Sequence, residues 1–515
     1  MATHRRKLLV RNTQFKDLAA INRILEKTYP SMDGYPAKAL QAQLNHFAEG
    51  QFVVEYEGLV VGFCMTFIIS GRKALKAHTW ADITNDGFVS QHDPTADYLY
   101  GMEVCVDSDY RGKKIGARLY NERKKLCQRL GLRGIVFGAR LPGFSKRRRQ
   151  YPTMEAYLEA VSTKRVRDAT VSFQMRNGFE PVKILPNYLP EDIESLGYAV
   201  LMKWENPLVD KQGKTEILYH EDAKDIVRVC TMNFRQRGIR SFVEFKEIIE
   251  YFVEAASDYR CDFLVFPEFI TMGFLAMENA RQSPVKALEQ LGNYTEQYEN
   301  LMSEAAVRFN INIIGGTHII KGEDGHMENL CHVFLRDGMV YRQAKLHPTP
   351  GEAEWWDIQG GNKLSVINTD RVPIGVLVGY DITFPEAARH LVDQGAKILF
   401  VPFQTDTRQS YLSIRICAQA RAIENQCYVA LSGSIGNLPR VRNMDINYAQ
   451  SCILTPSDFA FDRDGVAADT SPDAEMVAIA DLSISDLVKA RNNGTERNLK
   501  DRRHDLYRVQ WRKNH

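Results

Sequence analysis

The sequence predicts an α/β protein built from two domains. Short apolar strands alternate with helices in both halves of the 515-residue chain, and this alternation is typical of layered α/β architecture. The polar, turn-rich segment Asn206-Pro-Leu-Val-Asp-Lys-Gln-Gly213 separates the halves. Hydrophobic residues make up 44% and charged residues 25% of the chain, which is ordinary for a globular protein. We therefore expect domains over residues 1–205 and 224–515, joined by a linker at 206–223.

The first half reads as a mixed α/β domain. Apolar and alternating runs predict strands over residues 7–11, 51–56, 59–69, 98–106, 134–137 and 198–204. Helical spacing predicts helices over residues 15–29 and 111–130, and Glu57-Gly58 predicts a hairpin turn. Residues 144–163 look like an insertion. This segment contains the charge run Lys146-Arg147-Arg148-Arg149. Phosphate groups and the other domain are candidate partners of this charge run, and a solvated surface is the default interpretation.

The second half repeats the alternation with shorter strands. Largely apolar runs predict strands over residues 225–230, 262–266, 310–315, 364–368, 374–378 and 398–402. Helices are predicted over residues 242–259, 301–309 and 385–394. Strands that alternate with helices again favour a layered α/β arrangement.

Charge and cysteine content exclude several classes of protein. The net charge of +2 gives no electrostatic argument for a nucleic-acid or membrane partner. The basic start is not followed by the apolar run of a signal peptide, and no run of about 18 apolar residues is present. The nine cysteines are scattered, without Cys-x-x-Cys pairs, which is typical of reduced thiols. We expect a cytoplasmic protein that has no structural metal.

Three segments of the second half carry residues suited to acyl chemistry, each at the end of a predicted strand. They are Phe266-Pro-Glu-Phe269, Lys345-Leu-His-Pro-Thr-Pro-Gly-Glu352 and Gly379-Tyr-Asp-Ile-Thr-Phe-Pro-Glu386. Taken in order, they resemble the nitrilase superfamily of carbon–nitrogen hydrolases. Further matches are Arg421-Ala-Ile-Glu-Asn425, Gly433, Ser451 and Pro456. The resemblance covers residues 225–510 and implies a four-layer α-β-β-α sandwich.

The resemblance assigns a role to each site residue. Glu268 matches the general base, because a carboxylate beside a thiol can take its proton and later activate water. Lys345 matches the cation that stabilises the oxyanion, with help from the backbone N–H of Tyr380. Glu352 matches a second carboxylate that holds the lysine or the substrate amine, and Glu354 is its rival for this role. The implied substrate is a small linear amide, an N-acyl compound or a nitrile, and no cofactor is implied for this domain. The family also implies a homodimer or a higher homo-oligomer.

The nucleophile position departs from the family pattern. Where the family has cysteine before Tyr380-Asp381, this chain has Gly379, and no cysteine occurs between Cys331 and Cys417. Glycine cannot form an acyl intermediate, and loss of a triad nucleophile commonly costs about 10⁶ in turnover. We expect the site to bind but scarcely to hydrolyse. Two explanations stay open, namely inactivation of an active enzyme and a binding protein that keeps the pocket.

Several polar residues near the motifs are better interpreted as scaffold. Asp381 belongs to this group, and Glu386 with Arg389 has the i, i+3 spacing of a helical ion pair. His347 invites assignment as a base, but a packed histidine is the better interpretation. Cys417 is expected in the core. Residues 404–410 give no readable specificity code.

The first half contains a second chemical motif. Val106-Asp-Ser-Asp-Tyr-Arg-Gly-Lys-Lys-Ile-Gly116-Ala117 follows a strand and opens a helix, where backbone N–H groups can hold a pyrophosphate. With Asn177-Gly-Phe179, this resembles the acyl-CoA loop of the GNAT acetyltransferase family over residues 7–204. The residues that match this loop, and would contact acetyl-CoA or another acyl-CoA, are Val106, Arg111, Gly112, Lys113, Lys114, Ile115, Gly116 and Ala117.

Two positions put acetyl transfer in question. The family usually has glycine at the position of Lys114. At the position of Gln174 it often has a tyrosine that acts as the acid for the leaving thiolate, which glutamine cannot do. Glu103, on the strand before the loop, is a candidate general base or a structural carboxylate. The leading interpretation is an amide hydrolase domain fused to an acyl-CoA-binding domain. The alternatives are an N-acyltransferase that uses the hydrolase half as a scaffold, and a ligand sensor in which neither half reacts.

Overall fold

The computed structural model describes residues 7–29, 34–207, 209, 226–277, 284–322, 324–439, 441, 444, 446–507 and 510–511. The described residues up to 209 form one compact unit, and those from 226 onward form another. The predicted linker at 206–223 lies almost wholly outside the described residues, as does the first residue of the strand predicted at 225–230. Domain boundaries within this stretch therefore stay a prediction. No helix among the described residues is long and apolar enough to cross a membrane.

The N-terminal unit is one sheet with helices packed on it. Its strands are β1 (Leu8–Asn12), β2 (Phe52–Tyr56), β3 (Leu59–Ile69), β4 (Tyr98–Val106), β5 (Gly134–Arg140), β6 (Glu180–Leu185) and β7 (Ala199–Glu205). Its helices are α1 (Leu18–Thr28), α2 (Ala37–Phe47), α3 (Gly71–Ala74), α4 (Trp80–Thr84), α5 (Ile115–Arg129), α6 (Phe144–Arg147), α7 (Met154–Ser162) and α8 (Val171–Arg176). Short 3₁₀ helices cover Phe15–Asp17, Ala48–Gly50 and Ser108–Tyr110. The strand order is β1-β2-β3-β4-β5-β7-β6.

The predicted strands of this unit are all present, and the hairpin at Glu57-Gly58 joins β2 to β3. The helix predicted over 111–130 begins only at Ile115, because Gly112 (φ 82°) and Lys114 (φ 52°) have left-handed backbones. The insertion folds as α6 and α7. Strand β6 was not predicted. Among the described strands it pairs only with β7, at the edge of the sheet, and it contains Pro181.

Strands β4 and β5 form the parallel pair of this sheet. Their pairing is limited to Tyr98–Tyr100 against Gly134–Val136, so the strands separate toward the end that carries the Gly-rich loop. The guanidinium of Arg123, from α5, donates to the carbonyl oxygens of Met65 and Glu103 near this opening. A gap between two strands therefore lies directly before the first residues of the loop.

The C-terminal unit contains 13 strands in one hydrogen-bonded set. They are β8 (Ile226–Gln236), β9 (Phe263–Val265), β10 (Asn312–Lys321), β11 (Met327–Phe334), β12 (Val340–Ala344), β13 (Ile358–Gln359), β14 (Ile367–Asn368), β15 (Pro373–Val376), β16 (Ile398–Phe403), β17 (Tyr428–Gly436), β18 (Cys452–Leu454), β19 (Val466–Asp469) and β20 (Met476–Ser483). The main order is β12-β11-β10-β9-β8-β17-β16-β15-β14. Strand β13 pairs with β11, β18 with β17 and β19, and β20 with β8.

Helices cover the strands of this unit. They are α9 (Phe242–Asp258), α10 (Pro284–Glu289), α11 (Thr295–Phe309), α12 (Pro350–Trp356), α13 (Pro385–Asp393), α14 (Arg408–Glu424) and α15 (Ile484–Asn493). Short 3₁₀ helices cover Met272–Ala276, Gln290–Tyr294 and Gly379–Thr383. The predicted helices at 242–259, 301–309 and 385–394 correspond to α9, α11 and α13.

Three apolar cores formed by described residues define the layers. One core joins α9 and α11 to the strands, through residues such as Phe252 and Met302. A second core consists mainly of strand residues, including Val265 and Phe400, and therefore lies between two β layers. The third joins α13 and α14 to the strands. Helix, strand, strand and helix layers follow one another, which confirms the predicted α-β-β-α sandwich.

All nine cysteines are free, and eight of them are buried. The exception is Cys417, which was expected in the core. It is half-buried on α14, beside the exposed residues Leu412 and Ile416.

Candidate active site

The three predicted motifs meet at the ends of their strands. Glu268 follows β9, Lys345 follows β12, and Gly379 follows β15, each within three residues of the strand end. Glu352 lies in the first turn of α12, where Thr349 is the N-cap. Connections that leave strand ends are common places for catalytic groups, because the sheet holds them rigidly. The described residues thus bring together Glu268, Lys345, Glu352 and Gly379, as the motifs predicted.

Lys345 lies between two carboxylates in the interior. Its Nζ is 2.8 Å from Glu268 Oε1 and 2.7 Å from Glu352 Oε1. The lysine side chain is only 1% exposed, and both glutamates are buried. Its rival Glu354 is exposed to solvent. The geometry therefore selects Glu352 as the second carboxylate beside the lysine.

The ionisation of this group is strongly perturbed. Burial raises the pKa of Glu268 to about 7, although the Lys345 ammonium acts to lower it. Burial acts to lower the pKa of Lys345, but the Glu268 and Glu352 carboxylates outweigh it and hold that pKa above its ordinary value. The lysine is therefore a fixed cation, and Glu268 has the proton affinity of a base that works near neutral pH.

Two further groups that the motifs did not indicate hold Glu268. Asn329 Nδ2 donates to Glu268 Oε1 at 2.9 Å, and the backbone N–H of Gln404 donates to Oε2 at 3.1 Å. Asn329 is buried in β11, and its Oδ1 has no partner among the described residues. No strand was predicted over β11, so no local sequence signal singled out Asn329. Gln404 acts through its backbone, so its side-chain type gave no signal.

The loop at Gly379 has the geometry of a tight turn. Gly379 has φ 48°, in the left-handed region that favours glycine, and it begins the 3₁₀ helix Gly379–Thr383. An ideal Cβ at this residue would lie 2.5 Å from Glu268 Oε2. The backbone N–H of Tyr380 donates to no acceptor within the described part of the chain. A free N–H at this point can donate a hydrogen bond to a developing oxyanion.

Asp381 is a scaffold residue, as its sequence context predicted. Its carboxylate accepts hydrogen bonds from the backbone N–H groups of Leu346, His347 and Val378, and from Nδ1 of His347. These bonds tie the lysine segment to the Gly379 turn. The His347 ring also stacks on Phe384, with centroids 3.8 Å apart.

The ion pair suggested for Glu386 and Arg389 is wrong. Arg389 Nη2 donates instead to the carbonyl oxygen of Glu424, at the end of α14, and Glu386 is exposed. The i, i+3 spacing permits such a pair on an isolated helix. Here the neighbouring helix offers the arginine a carbonyl at the carboxyl end of its dipole.

The Gly-rich loop of the N-terminal unit fits a phosphate group. Among the described residues, no acceptor takes a hydrogen bond from the backbone N–H groups of Gly112, Lys113, Ile115, Gly116 and Ala117. These groups precede or begin α5, where the helix dipole also favours an anion. Gly112 has φ 82°, and a Cβ there would meet no atom within 4 Å. The loop backbone is thus open and rich in donors.

Other predicted residues of this unit lie near the gap between β4 and β5. Glu103 is half-buried on β4, and burial raises its pKa. Gln174 is buried, and its side chain lies near the hydroxyl of Tyr120, whose pKa burial raises to about 12. Sequence reasoning missed Tyr120, because a tyrosine inside an amphipathic helix has the pattern of a core residue. A phenol thus adjoins position 174 although residue 174 itself is glutamine.

The fold and this site have the character of a carbon–nitrogen hydrolase joined to an acetyltransferase-like domain. The carbon–nitrogen hydrolase family model matches residues 236–492, and the acetyltransferase (GNAT) family model matches residues 18–144. The probable hydrolase YhcX of Bacillus subtilis (strain 168) is 44% identical over 508 residues, covering 99% of this chain and 98% of that protein. The chain therefore belongs to the carbon–nitrogen hydrolase family and carries an acetyltransferase (GNAT) family domain.

Two relatives match the halves separately. The uncharacterized N-acetyltransferase YkwB of Bacillus subtilis (strain 168) is 30% identical over 210 residues, which cover 40% of this chain and 91% of that protein. The omega-amidase NIT2 of Xenopus tropicalis is 28% identical over 221 residues, which cover 41% of this chain and 75% of that protein. The two halves thus resemble proteins that carry one of these domains.

Proposed function

We propose that the C-terminal domain binds a small linear amide for hydrolysis, and that Gly379 removes the covalent route from this chain. The observation that carries the proposal is the buried Lys345 between Glu268 and Glu352, directly beside Gly379. Such a charge cluster is costly to keep buried, which favours retention for a ligand. The omega-amidase among the relatives supports an amide as the substrate.

Each group has a role in this proposal. Glu268 is the general base, and Lys345 and the backbone N–H of Tyr380 stabilise the oxyanion that forms on the substrate carbonyl. Glu352 holds the lysine in place through its Oε1. A cysteine at position 379 would add the nucleophile, so that an acyl intermediate divides the reaction into two steps. With glycine there, substrate binding remains and the acyl intermediate cannot form.

The test is Gly379→Cys, with Gly379→Ala as its matched control. Both variants place a Cβ at φ 48° and share a strain of roughly 1–2 kcal/mol, but only cysteine adds a thiol. We expect Gly379→Cys to release ammonia from propionamide, butyramide or hexanamide and to form an acyl adduct visible by intact mass. Its turnover should exceed that of Gly379→Ala by up to about 10⁶. Equal turnover in the two variants, without an adduct, would refute the proposal.

For the N-terminal domain we propose binding of acetyl-CoA or another acyl-CoA. The free N–H groups of Gly112, Lys113, Ile115, Gly116 and Ala117 would hold the pyrophosphate. The positive charges of Arg111, Lys113 and Lys114 support this assignment. The bound thioester would supply an activated acyl group, and Glu103 is the candidate to take a proton from an acceptor amine.

We propose a homodimer as the assembly and the cytoplasm as the location. The exposed apolar residues Leu412 and Ile416 on α14 support a contact with a second copy, and nine free thiols support a reducing compartment. Ile416 is 63% exposed and Ile446 is 61% exposed. Light scattering should therefore give a monomer for Ile416→Asp and a dimer for the matched control Ile446→Asp. A dimer in both variants would show that α14 is not part of the dimer interface.

A further inference from the structure

The carboxylate of Glu268 lies directly beside the position that a side chain would take at Gly379. The three atoms nearest to an ideal Cβ at this residue all belong to Glu268: Oε2 at 2.5 Å, Cδ at 3.3 Å and Oε1 at 3.5 Å. A thiol at this position would have to extend past the same carboxylate. Oε2 of the proposed base therefore faces the position that a nucleophilic side chain would take at residue 379.

The hydrogen bonds of Glu268 leave one oxygen available. Oε1 accepts from Lys345 Nζ and from Asn329 Nδ2, so it is fully engaged. Within the described part of the chain, Oε2 accepts a hydrogen bond only from the backbone N–H of Gln404. Since each carboxylate oxygen has two lone pairs, Oε2 can accept one further donor on the Gly379 side.

We propose that this chain hydrolyses its amide in one stage, with a water molecule hydrogen-bonded to Oε2 on the Gly379 side as the nucleophile and Glu268 as its base. The inference rests on the proposed amide-binding function. Oε2 accepts a proton from the water while the water oxygen bonds to the amide carbon, which gives a tetrahedral intermediate. The intermediate collapses with cleavage of the C–N bond, and the Glu268 carboxyl returns the proton to the departing nitrogen. The products are a carboxylic acid and ammonia, so atoms and charges balance.

The surrounding groups suit this step as well as they suit a thiol. Lys345 uses two donors on Glu268 and Glu352, which leaves its third N–H for the oxyanion. The Tyr380 N–H is a second donor, and no acceptor among the described residues takes it. Both donors act on the carbonyl oxygen, irrespective of whether sulfur or water attacks the carbon. Removal of the nucleophile thus leaves the machinery for direct hydration intact.

The experiment compares four full-length proteins purified in parallel: the unaltered chain, Gly379→Ala, Glu268→Gln and Gly379→Cys. Each protein is incubated with propionamide, butyramide and hexanamide, and the release of ammonia is measured. Intact-protein mass spectrometry during turnover shows whether an acyl adduct forms. We expect the unaltered chain to release ammonia about 10³-fold faster than the uncatalysed reaction, without an acyl adduct. Gly379→Ala should lose this activity because its Cβ would lie 2.5 Å from Oε2 and displace the carboxylate. Glu268→Gln should lose it because the base is removed.

The outcomes separate this inference from the function on which it rests. If Gly379→Cys is active and forms an adduct, while the unaltered chain releases no more ammonia than Glu268→Gln, the amide function stands and direct hydration is wrong. An acyl adduct on the unaltered chain would also overturn direct hydration, because another side chain would then be the nucleophile. If Gly379→Cys is inactive on all three amides, the proposed function fails and the inference fails with it.

Discussion

Lys345 carries a positive charge in a place with almost no contact with water. Burying an ammonium ion is costly, and here the cost is offset by two carboxylates at 2.8 and 2.7 Å. Loss of one member of such a group is more harmful than loss of a surface pair, because the remaining charges stay buried without a partner. The triad is therefore a stability element as well as a site.

We expect Lys345→Met to destabilise the C-terminal unit by about 3–5 kcal/mol near neutral pH, measured by urea unfolding. Without the cation, the pKa of Glu268 rises even further above its ordinary value of 4.5. An acid with a raised folded-state pKa loses stability as pH rises from its unfolded pKa toward its folded pKa. The loss should therefore be smaller at pH 5 than at pH 8.

The matched control is Lys321→Met, which removes an exposed lysine paired with Glu289. Solvent screens this pair, so its loss should change stability far less. A loss equal to that of Lys345→Met, or a loss independent of pH, would contradict the account of the buried triad.

Asn329 tunes the proposed base without touching the reacting atoms. Its replacement by leucine removes a donor to Glu268 Oε1, which raises the pKa of Glu268 above about 7. Since Glu268 must be ionised to act as a base, the acid limb of the kcat/KM profile should move to higher pH. We expect a shift of about one pH unit in the Gly379→Cys background, because a hydrogen bond to a charged group contributes roughly 1.5–3 kcal/mol.

Stability should distinguish this positioning role from a structural one. Asn329 Oδ1 has no partner among the described residues, so leucine also removes a buried unsatisfied acceptor. The melting temperature of Asn329→Leu should therefore remain close to that of its parent. A large fall in melting temperature with an unchanged pH profile would show that Asn329 serves packing alone.

Side-chain chemistry decided how much of the site the sequence could predict. Glu268, Lys345 and Glu352 are ionisable residues within recognisable motifs, and the structure brings all three together. Asn329 and Gln404 were not predicted. Asn329 lies in a strand outside the motifs, and Gln404 acts through its backbone N–H. Long-range contacts of this kind are set by the pairing of strands and leave no local pattern.

At the scale of elements, helix α12 couples folding to the site. Thr349 Oγ1 accepts from the N–H of Glu352, and Glu352 Oε2 accepts from the N–H of Thr349, which is a capping box. Glu352 thus uses one oxygen for the helix start and the other for Lys345. The N-cap is therefore part of the support of the buried cation.

We expect Thr349→Ala to cost about 1 kcal/mol of stability and also to weaken amide turnover in the Gly379→Cys background. Thr153→Ala is the matched control, because Thr153 caps α7 in the N-terminal unit by the same contact. Both variants should lose similar stability, measured by thermal unfolding, but only Thr349→Ala should affect ammonia release. Equal turnover in the two variants would show that the Thr349 cap does not support the active site.

Local pattern predicted some elements well and others poorly. Strands with continuous apolar runs, such as β3 and β16, lie where the pattern placed them. Strand β17 was missed because it contains Ser432, Gly433 and Ser434. Its two serine hydroxyls are buried and donate to backbone carbonyl oxygens of neighbouring segments. Polar residues that are satisfied only by tertiary contacts look like loop residues in the sequence.

On the scale of the whole molecule, each unit has a core of its own. The N-terminal core contains Phe63 and Tyr100, whereas the three C-terminal cores contain only residues from 227 onward. Composition and alternation could predict two α/β domains, because each half carries enough apolar residues for its own layers. The sheet orders could not be read locally, since β5 pairs with β7 and β8 with β17 across long stretches of chain.

Separate cores predict separate responses to ligands in calorimetry. We expect two thermal transitions, which Thr153→Ala and Thr349→Ala assign by lowering one each. Acetyl-CoA at 100 times its Kd should stabilise only the transition lowered by Thr153→Ala, by about 2.7 kcal/mol. Butyramide should stabilise only the other, because Lys345, Glu352 and Gly379 lie in that unit. A single transition that responds to both ligands would mean that the two units unfold together. If neither ligand shifts any transition, both proposed binding sites are refuted.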